Sequence, residues 1–255
     1  MDRSKELSEI QKIENVKYTP IPTPDQKDKI SKKFLNSDLI EMSGISRIEI
    51  EDVLEGEIES VPFISADLFV YKKYSTYNRQ TRMYEVREDL SLSGTYYYFD
   101  IPTIEKGVDI VLVPRIPFAV FIFFMLIFLF FLWSGIYEND FVKILVSIFF
   151  IASSLIAYFR GSKTESVKFN SYFVLKTNDE IKARKILTPA VIQSIIDLRE
   201  KEGEIMIAIK EGQLHVVIKN KDRVYTKQEI DLIKRLLNSI RLKETLYKKG
   251  IIYEK

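Results

Sequence analysis

Residues Ile116 to Gly135 read IPFAVFIFFMLIFLFFLWSG and carry no charged side chain. A short polar break follows, Tyr137-Glu138-Asn139-Asp140. Phe141 to Phe159 is apolar again, interrupted by Lys143 and by Ser147, Ser153 and Ser154. Each run is about the twenty residues that a helix needs to cross roughly 30 Å of hydrocarbon. A helix on the surface of a soluble fold keeps a polar stripe, and Phe118 to Trp133 has none. Both runs lie mid-chain, which separates them from a signal peptide. The expectation is a pair of transmembrane helices.

The few linking residues make that pair antiparallel, so the chain enters and leaves on one side. Lys106 and Arg115 precede the pair, and Arg160, Lys163 and Lys168 follow it. The loop carries Glu138 and Asp140, and Lys143 is able to snorkel back to the interface. The positive-inside rule then places both termini in the cytoplasm. Trp133, Tyr137 and Tyr158 stand near the ends, where amphipathic rings favour the headgroup zone. Ser153, Ala157 and Gly161 recur at spacings of four. They form either a small-residue face for close helix packing or the ordinary small residues of such helices.

The chain has 255 residues, 38 Lys plus Arg, 36 Asp plus Glu and a formal net charge of +2. That near balance implies no strongly basic surface for nucleic acid. There is no Cys, so thiol chemistry, disulfides and Cys-based metal sites are excluded. Without the apolar pair, roughly two hundred residues remain, enough for one or two packed domains.

Met1 to Tyr18 reads as a short amphipathic helix. Thr19-Pro20-Ile21-Pro22-Thr23-Pro24 reads as an extended linker, because proline biases its predecessor away from helix. Asp25 to Met42 is expected to be a second helix, ended by Gly44. From Ile45 to Val113 the period changes to two. Arg47–Glu51, Leu54–Glu59, Phe63–Tyr74, Thr81–Arg87, Ser91–Ile101 and Val108–Val113 read as strands of an antiparallel sheet. Val167 to Leu175 reads as one more. Thr177 and Glu180 have the spacing of a capping box, as do Thr226 and Glu229. Thr188-Pro189 is a cap followed by proline at the first helical position, and Gly203 closes that helix. Ile205–Ile209 and Leu214–Ile218 flank Glu211-Gly212-Gln213 as a hairpin.

Few residues suggest chemistry. His215 is the only histidine; it alternates with Leu214 and Val216 and reads as structural or surface rather than catalytic. Walker, GxSxG and HExxH motifs are all missing. Asp52, Glu55, Glu57 and Glu59 read as a solvated strand face before a cation site. Tyr96-Tyr97-Tyr98 reads as half core and half sheet surface before a stacking platform. Arg184 and Lys185 read as a solvated helix face before a lipid-headgroup contact.

Three motifs resemble a bacterial family of uncharacterised membrane proteins with a cytoplasmic domain of unknown function, sometimes mislabelled "galanin". Leu92-Ser93-Gly94-Thr95-Tyr96-Tyr97-Tyr98-Phe99-Asp100, with Gly107 to Pro114, is similar to the family's aromatic pattern with its glycine and aspartate. Asn178 to Ala190 is similar to its helix pair, through Ala183, Arg184, Thr188 and Pro189. Glu211 to Ile218 is similar to its following hairpin, and Glu51 to Gly56 fits more loosely. The resemblance spans most of Lys33 to Ile240. It implies a bacterial inner-membrane protein with a cytoplasmic domain and no established activity. Members usually carry both spans ahead of the domain, whereas here they lie inside it.

The expected fold is α+β, a mostly antiparallel sheet with packed helices, split by an inserted two-helix transmembrane hairpin. The expected parts are an N-terminal helical segment with a Pro-rich linker (1–43), a split cytoplasmic domain (44–113 plus 164–249) and the hairpin (114–161). The expected function is a membrane-anchored binding or scaffold module. Its partners would be the bilayer and an unidentified protein; two spans per chain also permit a homo-oligomer. No cofactor, metal or catalytic residue is expected. The alternatives are a small membrane enzyme acting through Asp52 and Asp100, and an oligomeric pore, which ranks last because the first span has no polar stripe to line water.

Overall fold

The computed structural model describes residues 16–80, 82–101, 107–115, 118–138, 140–159, 163–219 and 227–248. Their elements, in chain order, are β1 (Lys17–Thr19), α1 (Pro24–Leu35), β2 (Ile45–Ile58), β3 (Val61–Asn78), β4 (Met83–Asp100) and β5 (Ile110–Pro114). Then come α2 (Phe118–Tyr137), α3 (Phe141–Phe159), α4 (Val167–Tyr172), β6 (Phe173–Thr177), α5 (Glu180–Ile186), α6 (Pro189–Glu202), β7 (Ile205–Lys210), β8 (Gln213–Lys219) and α7 (Lys227–Lys248). The chain divides into two compact units. One joins Met1–Leu112 to Thr177–Lys255, and the other is Val113–Lys176.

The first unit is mixed α and β, built on a large antiparallel sheet. Its strands lie in the order β1-β2-β3-β4-β8-β7-β5. β4 precedes the apolar segment and β8 follows it, yet they pair directly, Gly94 opposite Lys219 through Asp100 opposite Gln213. Alternate β4 side chains leave opposite faces of the sheet. Tyr96 meets Phe34 of α1 edge-on at 5.5 Å. Its neighbour Tyr97 donates to Glu229 of α7 at 2.6 Å. So α1 covers one face and α7 the other. α6 joins α7 on its side, where the Ser194 and Ser239 hydroxyls meet at 2.7 Å.

Burial holds these helices more than their caps do. α1 starts from a capping box, Thr23 accepting from the Gln26 N–H while the Gln26 side chain accepts from Thr23. A cap of this kind contributes about 1 kcal/mol. Ile30 and Phe34 are fully buried on the sheet, and two such side chains contribute about 3–6 kcal/mol together. α6 follows the same logic, with Thr188 as N-cap, Pro189 at the first position and Gly203 at the C-terminus. Its apolar stripe, Ile192, Ile195 and Ile196, is buried.

β3 and β4 outrun their neighbours. β2 reaches β3 only as far as Lys72, and β8 reaches β4 only from Gly94 onward. Between Lys73 and Glu88 the two strands therefore pair only with each other, as a two-stranded ribbon.

Several local expectations are corrected. Thr23-Pro24 opens α1 rather than ending a linker, and α1 stops at Leu35, where Asn36 caps it and the chain turns well before Gly44. The two short strands expected in 47–59 are one, bent by register shifts near Ser46 and between Glu51 and Leu54. The strands expected at 81–87 and 91–101 likewise merge into β4, which runs from Met83 to Asp100, because pairing to β3 continues through Phe99. Val167–Tyr172 is helical rather than extended: Ser166 caps it by accepting from the Phe169 N–H, and only Phe173 onward is strand. Asp179, not Thr177, caps α5, accepting from the Lys182 N–H at 3.0 Å. Lys17 and Tyr18 belong to β1 rather than to a helix; Met1 to Asn15 and the cap at Thr226 lie outside the described residues.

In the second unit, α2 is long and apolar enough to cross a membrane over Val120–Tyr137. The second apolar run, Phe141–Leu155, is shorter among the described residues, so one candidate span stands where two were expected. α2 and α3 pack together. Phe128 stacks on Phe150 at 5.0 Å. A side chain at Gly135 would meet Lys143 Cβ at 3.0 Å and Ile144 Cγ1 at 3.1 Å. Asp140 starts α3 by accepting from the N–H groups of Val142 and Lys143, both at 3.1 Å.

Candidate functional site

The strand Gly94 to Asp100 sits at the centre of the sheet and presents polar groups to both faces. On the α1 face, the Tyr96 hydroxyl meets His215 Nδ1 at 2.7 Å, both residues buried. Tyr98 stands edge-on to the same imidazole at 5.4 Å. Lys33 Nζ lies 3.6 Å above the Tyr98 ring, a cation–π contact across the helix–sheet junction. Asp38, just past α1, pairs with Lys210 on β7.

The imidazole is buried beside two cations. Burial first, then Lys33 and Lys210, push the His215 imidazole down to about 4, against the opposing pull of Asp38. Burial holds the Tyr96 phenol well above its ordinary value. Burial and the nearby Asp100 push Tyr98 up to about 12. Burial and Lys29 lower Lys33, with Asp100 acting the other way. At neutral pH the imidazole is therefore neutral and both phenols keep their protons. The Tyr96–His215 contact is a neutral hydrogen bond that fixes two strands. So weak a base is poorly matched to proton transfer at neutral pH.

The opposite face buries a second polar group. Ser65, Asp67, Thr95, Tyr97 and Glu229 are all buried. Ser65 lies opposite Tyr97, and Asp67 opposite Thr95. Their shared register puts all four on the face that α7 covers. Among the described residues, no group of three or more His, Cys, Asp or Glu side chains is placed to hold a metal.

Asp52 and Asp100 are separate. Asp52 sits at the β2 irregularity with a positive φ of 48° and takes the Tyr18 hydroxyl as donor. Asp100 is exposed at the end of β4, opposite Gln213. Of the acidic face expected here, Glu57 on β2 and Glu59 in the turn after it are exposed and Glu55 is half-buried, whereas Asp52 is buried.

The motif positions take local structural roles. A Cβ on Gly94 would lie 2.1 Å from the Ile218 carbonyl oxygen and 2.9 Å from its carbon; only glycine lets β8 come this close. Ala183 is buried and Arg184 exposed in the last turn of α5. Thr188 and Pro189 start α6. Asn178 ties the start of β5 to the residues before α5: it accepts from the Asp109 N–H at 2.9 Å and donates to the Gly107 carbonyl at 3.2 Å. Ser153 is half-buried in α3. The Ala157 side chain and Gly161 lie outside the described residues.

Sequence reasoning missed Lys33, Asp38 and Asp67, which have no local signal, and read Glu229 only as a capping residue rather than as the acceptor for Tyr97. It also missed the ribbon. There Tyr77 and Tyr84 pair at 5.3 Å, and Tyr74, Met83, Val86 and Leu90 are exposed.

A family model described as "Protein of unknown function (DUF3137)" matches residues 146–249. No curated protein and no solved structure matches the chain. A domain of unknown function is thus present over the C-terminal part. The match takes in Ala183, Arg184, Thr188, Pro189 and the β7–β8 hairpin. It leaves out Gly94 and Asp100, so it is narrower than the resemblance expected over Lys33 to Ile240.

Proposed function

We propose that the chain is a membrane-anchored binding or scaffold module, held in a bacterial inner membrane by two helices with both termini cytoplasmic. One observation carries this reading. The uncharged helix Val120–Tyr137 is almost entirely unburied by the protein itself. Phe123, Phe130 and Trp133 are each more than 60 % exposed. Burying a large apolar side chain is worth about 1.5–3 kcal/mol, so a row of them left bare needs a hydrocarbon environment. α3 carries the same exposure at Phe141, Phe149 and Phe150 and packs on α2, which supports a second span. The flanking Lys and Arg residues support the orientation. Binding is preferred to catalysis because the polar groups at the centre of the sheet hold structure together.

The test uses single cysteines in this cysteine-free chain, at Glu138 between the helices and at Lys201 on α6. On intact cells an impermeant thiol reagent is expected to label Glu138→Cys alone. Labelling of Lys201→Cys overturns the orientation, and release of the protein from membranes by salt alone overturns the anchor.

A further inference from the structure

The ribbon formed by β3 and β4 ends in a tip with a distinct composition. Arg79 and Arg82 occupy the turn between Asn78 and Met83. Neither takes part in an ion pair among the described residues. Tyr77, Met83 and Tyr84 flank the turn, 49 %, 68 % and 74 % exposed. Strand register places Tyr77, Tyr84, Val86 and Leu90 on one face of the ribbon. The acidic residues are engaged: Glu85, beside the tip, with Asn78 and Arg87, Glu88 on the same face as Val86 and Leu90 with Arg47 and Ser46, and Asp89 with Tyr74. An isolated two-stranded ribbon is marginal in water, and this one exposes aromatics that a monomeric soluble fold has reason to cover.

We propose that this tip docks on an anionic lipid surface. Charge complementarity carries the choice of occupant. Two exposed guanidinium groups, unpaired among the described residues, stand at the end, bracketed by tyrosines and a methionine, and the acidic groups nearest them already have partners. Tyrosine favours the headgroup zone, and each cation near an anionic leaflet strengthens binding roughly fivefold. The inference rests on the membrane-anchor reading, since a bilayer held by the same chain raises the effective concentration of that surface.

The experiment uses the full chain with Met83→Cys carrying an environment-sensitive fluorophore. The chain is reconstituted in phosphatidylcholine vesicles with or without phosphatidylglycerol. Trp133 is the only tryptophan and reports the anchor separately through quenching by brominated lipid. The expected result is that nitroxide headgroup lipids quench the fluorophore in anionic vesicles. The added substitutions Arg79→Ala and Arg82→Ala should weaken docking roughly 25-fold together. A quenched Trp133 with an unquenched fluorophore overturns the docking and leaves the anchor standing. An unquenched Trp133 with a quenched fluorophore overturns the anchor and leaves a peripheral contact. Equal quenching in neutral vesicles, untouched by the arginine substitutions, overturns the anionic recognition. A blue shift that grows with protein-to-lipid ratio, without lipid quenching, assigns the tip to a second copy of the chain and also overturns the proposal.

Discussion

Strands β3 and β4 form one antiparallel pair with two contrasting halves. From Phe63 to Val70, and from Leu92 to Phe99, almost every residue is buried, polar ones included. From Lys73 to Asn78, and from Met83 to Glu88, nearly every residue is exposed, aromatic ones included. Both halves carry three tyrosines on the same ladder, although the outer half also carries Lys73, Glu85, Arg87 and Glu88 where the inner half has only Asp67. Neighbours make the difference: the inner half has β2 and β8 beside it and helices on both faces, while the outer half pairs only with itself. Tyrosine is thus a sheet residue by propensity, and its burial is decided by elements far away in sequence.

Changes in the inner half should therefore be costly and changes in the outer half cheap. Gly94→Val should have the largest effect. Its side chain would collide with β8 backbone rather than with a flexible side chain, so a loss of about 3 kcal/mol or more is expected, at the upper end of overpacking costs. Chemical denaturation of the detergent-solubilised protein checks it, and an unchanged midpoint would break the contrast at once.

Next comes His215. Its imidazole sits at about 4 in the folded protein and near 6.5 when unfolded. Between those values the unfolded chain binds a proton that the folded one does not, so stability falls as pH drops from about 6.5 to 4 and then levels off. The loss is about 3 kcal/mol in total. Stability measured across this range should show the slope, and His215→Gln should flatten it while keeping a polar group for Tyr96.

Tyr97→Phe takes a donor from buried Glu229 and should cost about 1–3 kcal/mol. Adding Glu229→Gln should recover part of that, because the uncharged amide tolerates the missing donor better. The smallest effect is expected in the outer half. Tyr84→Ala should change stability by no more than about 0.5 kcal/mol. A larger loss would mean that the ribbon is braced by something other than its own ladder.

Much of the architecture was readable from local pattern. The period-two run from Ile45, the cap at Thr188-Pro189, the hairpin around Gly212 and the apolar segment all depend on residues a few positions apart. Val167–Tyr172 was misread because a helix of this length offers only its cap, Ser166, against an alternating apolar background. The polar pairs at the centre of the sheet were invisible for another reason. Tyr96 and His215 are 119 positions apart, and Tyr97 and Glu229 are 132 apart. Nothing near either partner records the other. Gly94 stood inside a recognisable motif, but its role belongs to β8, whose backbone fills the space a side chain would need.

The pairing of β4 with β8 also sets an order of events during synthesis. Chains emerge at about 5–20 residues per second, so Tyr96 precedes His215 by about 6 to 24 s. Through that interval the β4 edge from Gly94 to Asp100 has no strand beside it, and an open edge invites pairing with other chains. The apolar helices emerge within the same interval. A slow ribosome or a chaperone acting in that window therefore bears on whether β4 meets β8 of its own chain or the edge of a neighbour.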